Sequence, residues 1–212
     1  MYDASGAEVY VLRKHVDPLA LEFLPYHFLL ASVGNSGWLK YYDTSVGKHV
    51  VEHRTRMGPC RVMRQNPYNG VLHLGHNNGC VTLWTPNMSG YAVKQLCHRG
   101  PLTAVAVDRG GHYMATAGAD GQMKIWDIRK FTDKPLQAYF SPNPATCLDI
   151  SQKGLLAVGH GPHVQVPPFT HTRTPPSPRF CATNSRVGEG GGSKPPVMDI
   201  VAVVLGTGRH RC

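Results

Sequence analysis

A repeat of 42 residues is the feature of this sequence that most restricts its fold. The chain has 212 residues, and three of its segments align without a gap when the sequence is shifted by 42 positions. These segments end at Tyr42-Asp43, Trp84-Thr85 and Trp126-Asp127, and their turn glycines coincide at Gly37, Gly79 and Gly121. Periods of about 20–50 residues are typical of proteins built from one repeated structural unit that packs only against its neighbours.

Within each unit, apolar side chains recur at every second position, which is the period of a β-strand. Val105 and Val107 alternate in this way in one segment, and Met123 and Ile125 do so in another. Turn-forming residues separate the apolar segments, for example at Gly118-Ala119-Asp120-Gly121. The sequence therefore predicts four short strands in each unit and no long helix.

The most complete unit covers residues 97–128, and it resembles the WD40 repeat of β-propellers. It has His98 near its start, Asp120 in a tight turn and Trp126 in a closing Trp-Asp pair. The resemblance implies a network in which Asp120 accepts from His98, His98 bonds to Thr116, and the indole N–H of Trp126 supplies the last donor. We expect a structural network rather than a hydrolase site, because the set stands in register with a fold element and its polar groups satisfy one another.

The first two units lack members of this set. At the position of the histidine they carry Lys14 and Arg56, and at the position of the hydroxyl they carry Ser32 and Leu74. We therefore expect the complete network only in the third unit, whose blade should be the best ordered.

A fourth unit begins after the third and is interrupted. Residues 145–150 and 155–159 match the first two inner strands, but Pro167-Pro168 stands where the closing tryptophan is expected. The remaining sequence is rich in proline and glycine, which bury too little apolar surface to offset the entropy cost of ordering. We predict an all-β fold, a partial WD40 β-propeller of three blades plus part of a fourth, over residues 1–163 and a disordered tail over residues 164–212. Its open sheet edges lead us to expect marginal stability for the isolated chain.

The charge of the chain favours an anionic partner. Lysine and arginine number 22 against 13 acidic residues, which gives a net charge of +9. Three basic groups precede the predicted inner strands, namely Arg13-Lys14-His15, Arg54-Thr55-Arg56 and His98-Arg99. Equivalent loops of a propeller emerge on one rim, so these groups predict a basic rim that holds a nucleic-acid backbone without reading its sequence. Solvated loops without a partner are the alternative.

Several other classes of site are not expected. The six cysteines include no C-x-x-C pair, and we interpret them as free thiols in a reducing compartment. His73 and His76 would point to opposite faces of a strand, which disfavours a metal site. The sequence contains no phosphate-loop motif, no nucleophile-elbow motif and no apolar run long enough to span a membrane. We expect a soluble, non-enzymatic protein with no cofactor, metal, membrane or small-molecule substrate.

Four stretches are more specific than the Trp-Asp pattern and resemble the nucleolar WD repeat-containing protein 46 family. They are DASGAEVYVLRKHVDPLALEFLPYHFLLAS (3–32), QNPYN (65–69), LGHNNGCVTLW (74–84) and CHRG (97–100). The likeness covers residues 1–163.

This resemblance implies a propeller subunit of the small-subunit processome that acts in pre-rRNA processing and small ribosomal subunit RNA maturation in the nucleolus, within the nucleus. Other processome proteins are the implied partners, together with pre-rRNA or small nucleolar RNA. The alternatives are a generic WD40 adaptor for protein–protein interaction and a non-functional truncated isoform. The second alternative arises because the sequence from Val164 onward does not resemble the family and looks out of frame or alternatively spliced.

Overall fold

The computed structural model describes residues 1, 4–8, 11–161 and 163–166. The tail predicted over residues 164–212 lies outside this range apart from residues 164–166, so its disorder stays a prediction. Within the described ranges there is no helix with the length and apolar character of a membrane span.

The described residues form four antiparallel sheets, each made of consecutive strands. The first sheet contains β1 (Pro18–Leu24), β2 (Leu29–Gly34), β3 (Trp38–Asp43) and β4 (Lys48–Arg54). The second contains β5 (Cys60–Gln65), β6 (Leu72–His76), β7 (Cys80–Trp84) and β8 (Val93–Leu96). The third contains β9 (Leu102–Val107), β10 (Tyr113–Gly118), β11 (Gln122–Asp127) and β12 (Gln137–Phe140). The fourth contains β13 (Cys147–Ile150), β14 (Leu156–His160) and β15 (His163–Gln165).

This architecture confirms the predicted all-β partial propeller of three blades and part of a fourth. The 42-residue repeat places the closing Tyr42, Trp84 and Trp126 in the third strand of successive sheets. Residues 97–128 hold three strands, β9 to β11, and the fourth strand of that sheet, β12, follows them in the chain.

The repeated turn glycines connect each sheet to the loop that leads into the next one. Gly37, Gly79 and Gly121 all have a positive φ, between +69° and +80°. Their carbonyl oxygens accept hydrogen bonds from the backbone N–H of Thr55 (3.0 Å), Cys97 (3.0 Å) and Ser141 (2.8 Å), respectively. Only glycine adopts this conformation without strain, and a Cβ at Gly79 would overlap the carbonyl oxygen of His98.

The hydrophobic core consists of three layers, each between two neighbouring sheets. Leu72 and Trp84 belong to the layer between the first and second sheets, and Trp126 to the layer between the second and third. The first strands β1, β5, β9 and β13 contact one another in that order. Each large apolar side chain that is fully buried stabilises the fold by about 1.5–3 kcal/mol, so neighbouring sheets depend on one another for stability.

Candidate functional site

The third sheet brings together the four side chains of the predicted network. His98 Nδ1 lies 3.0 Å from Asp120 Oδ1, and His98 Nε2 lies 2.9 Å from Thr116 Oγ1. The indole N–H of Trp126 donates to the same threonine oxygen at 2.9 Å. A carboxylate can only accept, so Nδ1 of His98 carries the proton and Nε2 accepts from the hydroxyl of Thr116. Each polar group of this network therefore has a hydrogen-bond partner.

The electrostatics of the network favour a neutral histidine next to an ionised aspartate. Burial lowers the pKa of His98, and the neighbouring Asp120 carboxylate offsets only part of that effect. Partial burial opposes the ionisation of Asp120, but the backbone N–H of Gln122 and the His98 ring outweigh it and lower its pKa. His98 and Thr116 are fully buried, so a substrate in solvent has no access to either group. The arrangement is suited to holding β10 and β11 against the loop before β9.

The first and second sheets contain partial versions of this network that the sequence reasoning missed. In the first sheet His15, one position after Lys14, bonds through Nδ1 to the hydroxyl of Ser32. In the second sheet His76 Nε2 lies 2.7 Å from Thr82 Oγ1, which also accepts from the indole N–H of Trp84 at 2.9 Å. A threonine two positions before the closing tryptophan is the sequence signal that could have indicated the second version.

Four histidine and cysteine side chains, those of His73, His76, Cys60 and Cys97, are enclosed in the core. Burial lowers the pKa of His73 and of His76 to about 4 in each case. Burial likewise raises the pKa of the Cys60 and Cys97 thiols to about 12, and both are free. In the part of the chain that the structure describes, no group of three histidine, cysteine or acidic side chains could hold a metal ion.

The basic residues of two predicted rim loops project into solvent. Arg54 and Arg56 are exposed on either side of the buried Thr55, whose hydroxyl donates to the carbonyl oxygen of Gly37 at 2.9 Å. In the next loop, Arg99 is exposed beside the buried His98. An anchored, buried residue thus holds each loop while the neighbouring guanidinium groups remain available to a partner. The rim itself stays a prediction.

The remaining basic group, Arg13-Lys14-His15, lies in a segment that packs against the first sheet. Lys40 of β3 donates through Nζ to the carbonyl oxygen of Lys14 at 2.5 Å, which places the segment before β1 along the first sheet. The His15 ring contacts the rings of Tyr42 and His49 at centroid distances of 6.1 and 6.4 Å. This segment is therefore packed against β3 and β4 and does not simply lead into β1.

Comparison with known proteins agrees with this geometry. The sequence model of one protein family, the WD40 family described as "WD domain, G-beta repeat", matches residues 90–127. These residues include all four members of the network. The chain is 53% identical over 165 residues to U3 small nucleolar RNA-associated protein 7 of Saccharomyces cerevisiae, covering 77% of this chain and 29% of that protein. It is 48% identical over 177 residues to WD repeat-containing protein 46 of Homo sapiens, covering 84% of this chain and 29% of that protein.

The chain belongs to the WD repeat-containing protein 46 family. A further member of this family, from Caenorhabditis elegans, is 45% identical over 166 residues, covering 78% of this chain and 28% of that protein. The chain thus spans less than a third of the length of the curated relatives it matches.

Proposed function

We propose that this chain is a non-enzymatic WD40 scaffold of the small-subunit processome that acts in pre-rRNA processing and small ribosomal subunit RNA maturation in the nucleolus. The observation that carries the proposal is the 53% identity, over 77% of this chain, to a yeast protein named for its association with U3 small nucleolar RNA. Other processome proteins and pre-rRNA or small nucleolar RNA are the partners we propose.

The charge of the molecule supports an RNA-containing partner. The net charge is +9, and Arg54 at the end of β4, Arg56 in the loop after it and Arg99 in the loop before β9 are exposed. Guanidinium groups form charge-assisted bonds with phosphate oxygens and need no particular base sequence. The buried network of His98 and Thr116 supports a scaffold role, because its groups are occupied with one another and closed to solvent.

Co-purification of the tagged chain with nucleolar ribonucleoprotein particles tests the proposal. The test variant replaces Arg54, Arg56 and Arg99 with glutamate. Each phosphate contact on a single strand contributes about 0.7 to the slope of log affinity against log salt, so loss of three contacts should reduce that slope by about 2. The matched control replaces the exposed Lys94, Lys130 and Lys134 with glutamate, which changes the net charge equally.

We expect the arginine variant to lose association at moderate salt and the lysine control to retain it. Retention of the arginine variant on the particle, unchanged from the unaltered chain, would contradict the basic rim and favour the generic WD40 adaptor. Absence of the unaltered chain from the particle would refute the processome assignment.

A further inference from the structure

A cleft of about 830 Å³ lies on the first sheet, between the segment before β1 and the β3–β4 hairpin. Five basic or imidazole side chains line it: Arg13, Lys14, His15, Lys48 and His49. Among the described residues that line it, Glu8 is the one carboxylate. The described lining of the cleft therefore carries a net positive charge, and it includes two residues of β4 that none of the three basic loops contains.

Two imidazole rings in this cleft have unused nitrogen atoms. The rings of His15 and His49 meet edge to face, with their centroids 6.4 Å apart. In each ring Nε2 is buried and has no hydrogen-bond partner among the described residues, while Nδ1 of His15 is bonded to Ser32. Among the described residues, the carboxylate oxygen closest to His49 Nε2 is on Glu52 at 3.8 Å, which is too long for a hydrogen bond. Buried polar atoms normally have partners, so these two nitrogens need an explanation.

The charges around the two rings are mostly of one sign. Burial lowers the pKa of His15, and His49 and Lys40 lower it further. Burial also lowers the pKa of His49, Lys14 and Lys40 add to this effect, and Glu52 opposes it. Glu52 is shared, since its Oε2 also lies 3.8 Å from Lys40 Nζ. Basic groups that share a single acidic neighbour still repel one another, and a bound anion would relieve that repulsion.

A further acidic side chain nearby, Asp43, is turned to its own loop. Asp43 lies opposite Lys48 in the β3–β4 ladder, but its Oδ1 accepts from the backbone N–H and the hydroxyl of Ser45 at 2.8 and 2.6 Å. The basic side chains outnumber the acidic ones here, and two imidazoles fall short of the three or four ligands that a zinc site uses. An anion is the ligand that this chemistry favours.

We propose that the cleft binds a phosphate group, with Nε2 of His15 and His49 as hydrogen-bond donors and Arg13, Lys14 and Lys48 supplying the positive charge. An RNA backbone phosphate and free inorganic phosphate share this chemistry. Phosphate binding by the cleft does not depend on the proposed function. The choice of RNA as the source of that phosphate rests on it.

The test is an NMR titration of the His15 and His49 rings in the full chain, in inorganic phosphate and in chloride at equal ionic strength. An opposite charge within hydrogen-bond distance raises a histidine pKa by about 1 unit or more, so phosphate should raise both values. The double variant Arg13→Gln, Lys48→Gln should lose most of this rise, and Lys130→Gln should keep it. Equal pKa values in phosphate and chloride would overturn the proposal.

Two controls separate folding and ligand source from binding. The ring signals of His98, which is buried in the third sheet, should be the same in every variant if the fold is intact.

A short single-stranded RNA should raise the pKa values of His15 and His49 if backbone phosphate is the ligand. A rise with inorganic phosphate alone would support the site with free phosphate as its source. The titration needs no particle, so its failure overturns the cleft alone, whereas absence of the chain from the particle overturns the proposed function alone.

Discussion

Replacement of Thr116 by valine tests the network of the third sheet. The change keeps the shape of the side chain and removes only the hydroxyl, which bonds to His98 Nε2 and accepts from Trp126 Nε1, both at 2.9 Å. Both partners are buried, so water cannot replace the lost bonds. Each buried group left without a partner costs about 1–3 kcal/mol, and we expect Thr116→Val to lower the free energy of unfolding by about 3 kcal/mol.

Urea unfolding of the full chain, followed by tryptophan fluorescence, measures this loss. Thr103 provides a matched control on β9, because its hydroxyl is buried and has no hydrogen-bond partner among the described residues. Thr103→Val therefore removes an unsatisfied polar group and should be neutral or stabilising by up to about 1 kcal/mol. Equal free energies of unfolding for the two variants would refute the argument that the network stabilises the blade.

Two further predictions follow from the turn glycines and the buried histidines. Gly79→Ala should lower the free energy of unfolding by more than about 2 kcal/mol, because the residue has a φ of +80° and its Cβ would overlap the His98 carbonyl. Gly90→Ala, which has nothing within 4 Å of its Cβ, should be neutral or slightly stabilising, and equal losses in urea unfolding would contradict the steric argument. Burial lowers the pKa of His76 from 6.5 to about 4, so the unfolded chain binds the proton more readily, and stability present above pH 6.5 is lost as the pH falls towards 4. His76→Gln should flatten this pH dependence by about 1.4 kcal/mol per pH unit, and an unchanged slope would show that His76 is not held neutral in the fold.

The sequence predicted the features of the fold that depend on local patterns. Alternation of apolar residues such as Met123 and Ile125 marks β11, and the position of Gly79 marks a turn that only glycine tolerates. The closing Trp126 fixes the end of the third strand in its sheet. These signals repeat at a fixed spacing, so the all-β fold and the order of its units could be derived without coordinates.

The parts that the sequence did not predict depend on contacts between distant residues. His15 takes the place expected for Lys14 because the segment before β1 packs along β2 and β3, which shifts the histidine by one position. The cleft depends on the same packing. Lys48 and His49 come next to Arg13 only because β3 and β4 pair as a hairpin on which that segment lies. No spacing in the sequence links these residues.

Sedimentation of the tagged chain from nucleolar extract, before and after ribonuclease treatment, tests the central claim most directly. The scaffold assignment predicts that the chain sediments with large particles that contain U3 small nucleolar RNA and pre-rRNA, and that ribonuclease moves it to the light fractions. A chain that stays in the light fractions both before and after treatment would contradict the assignment.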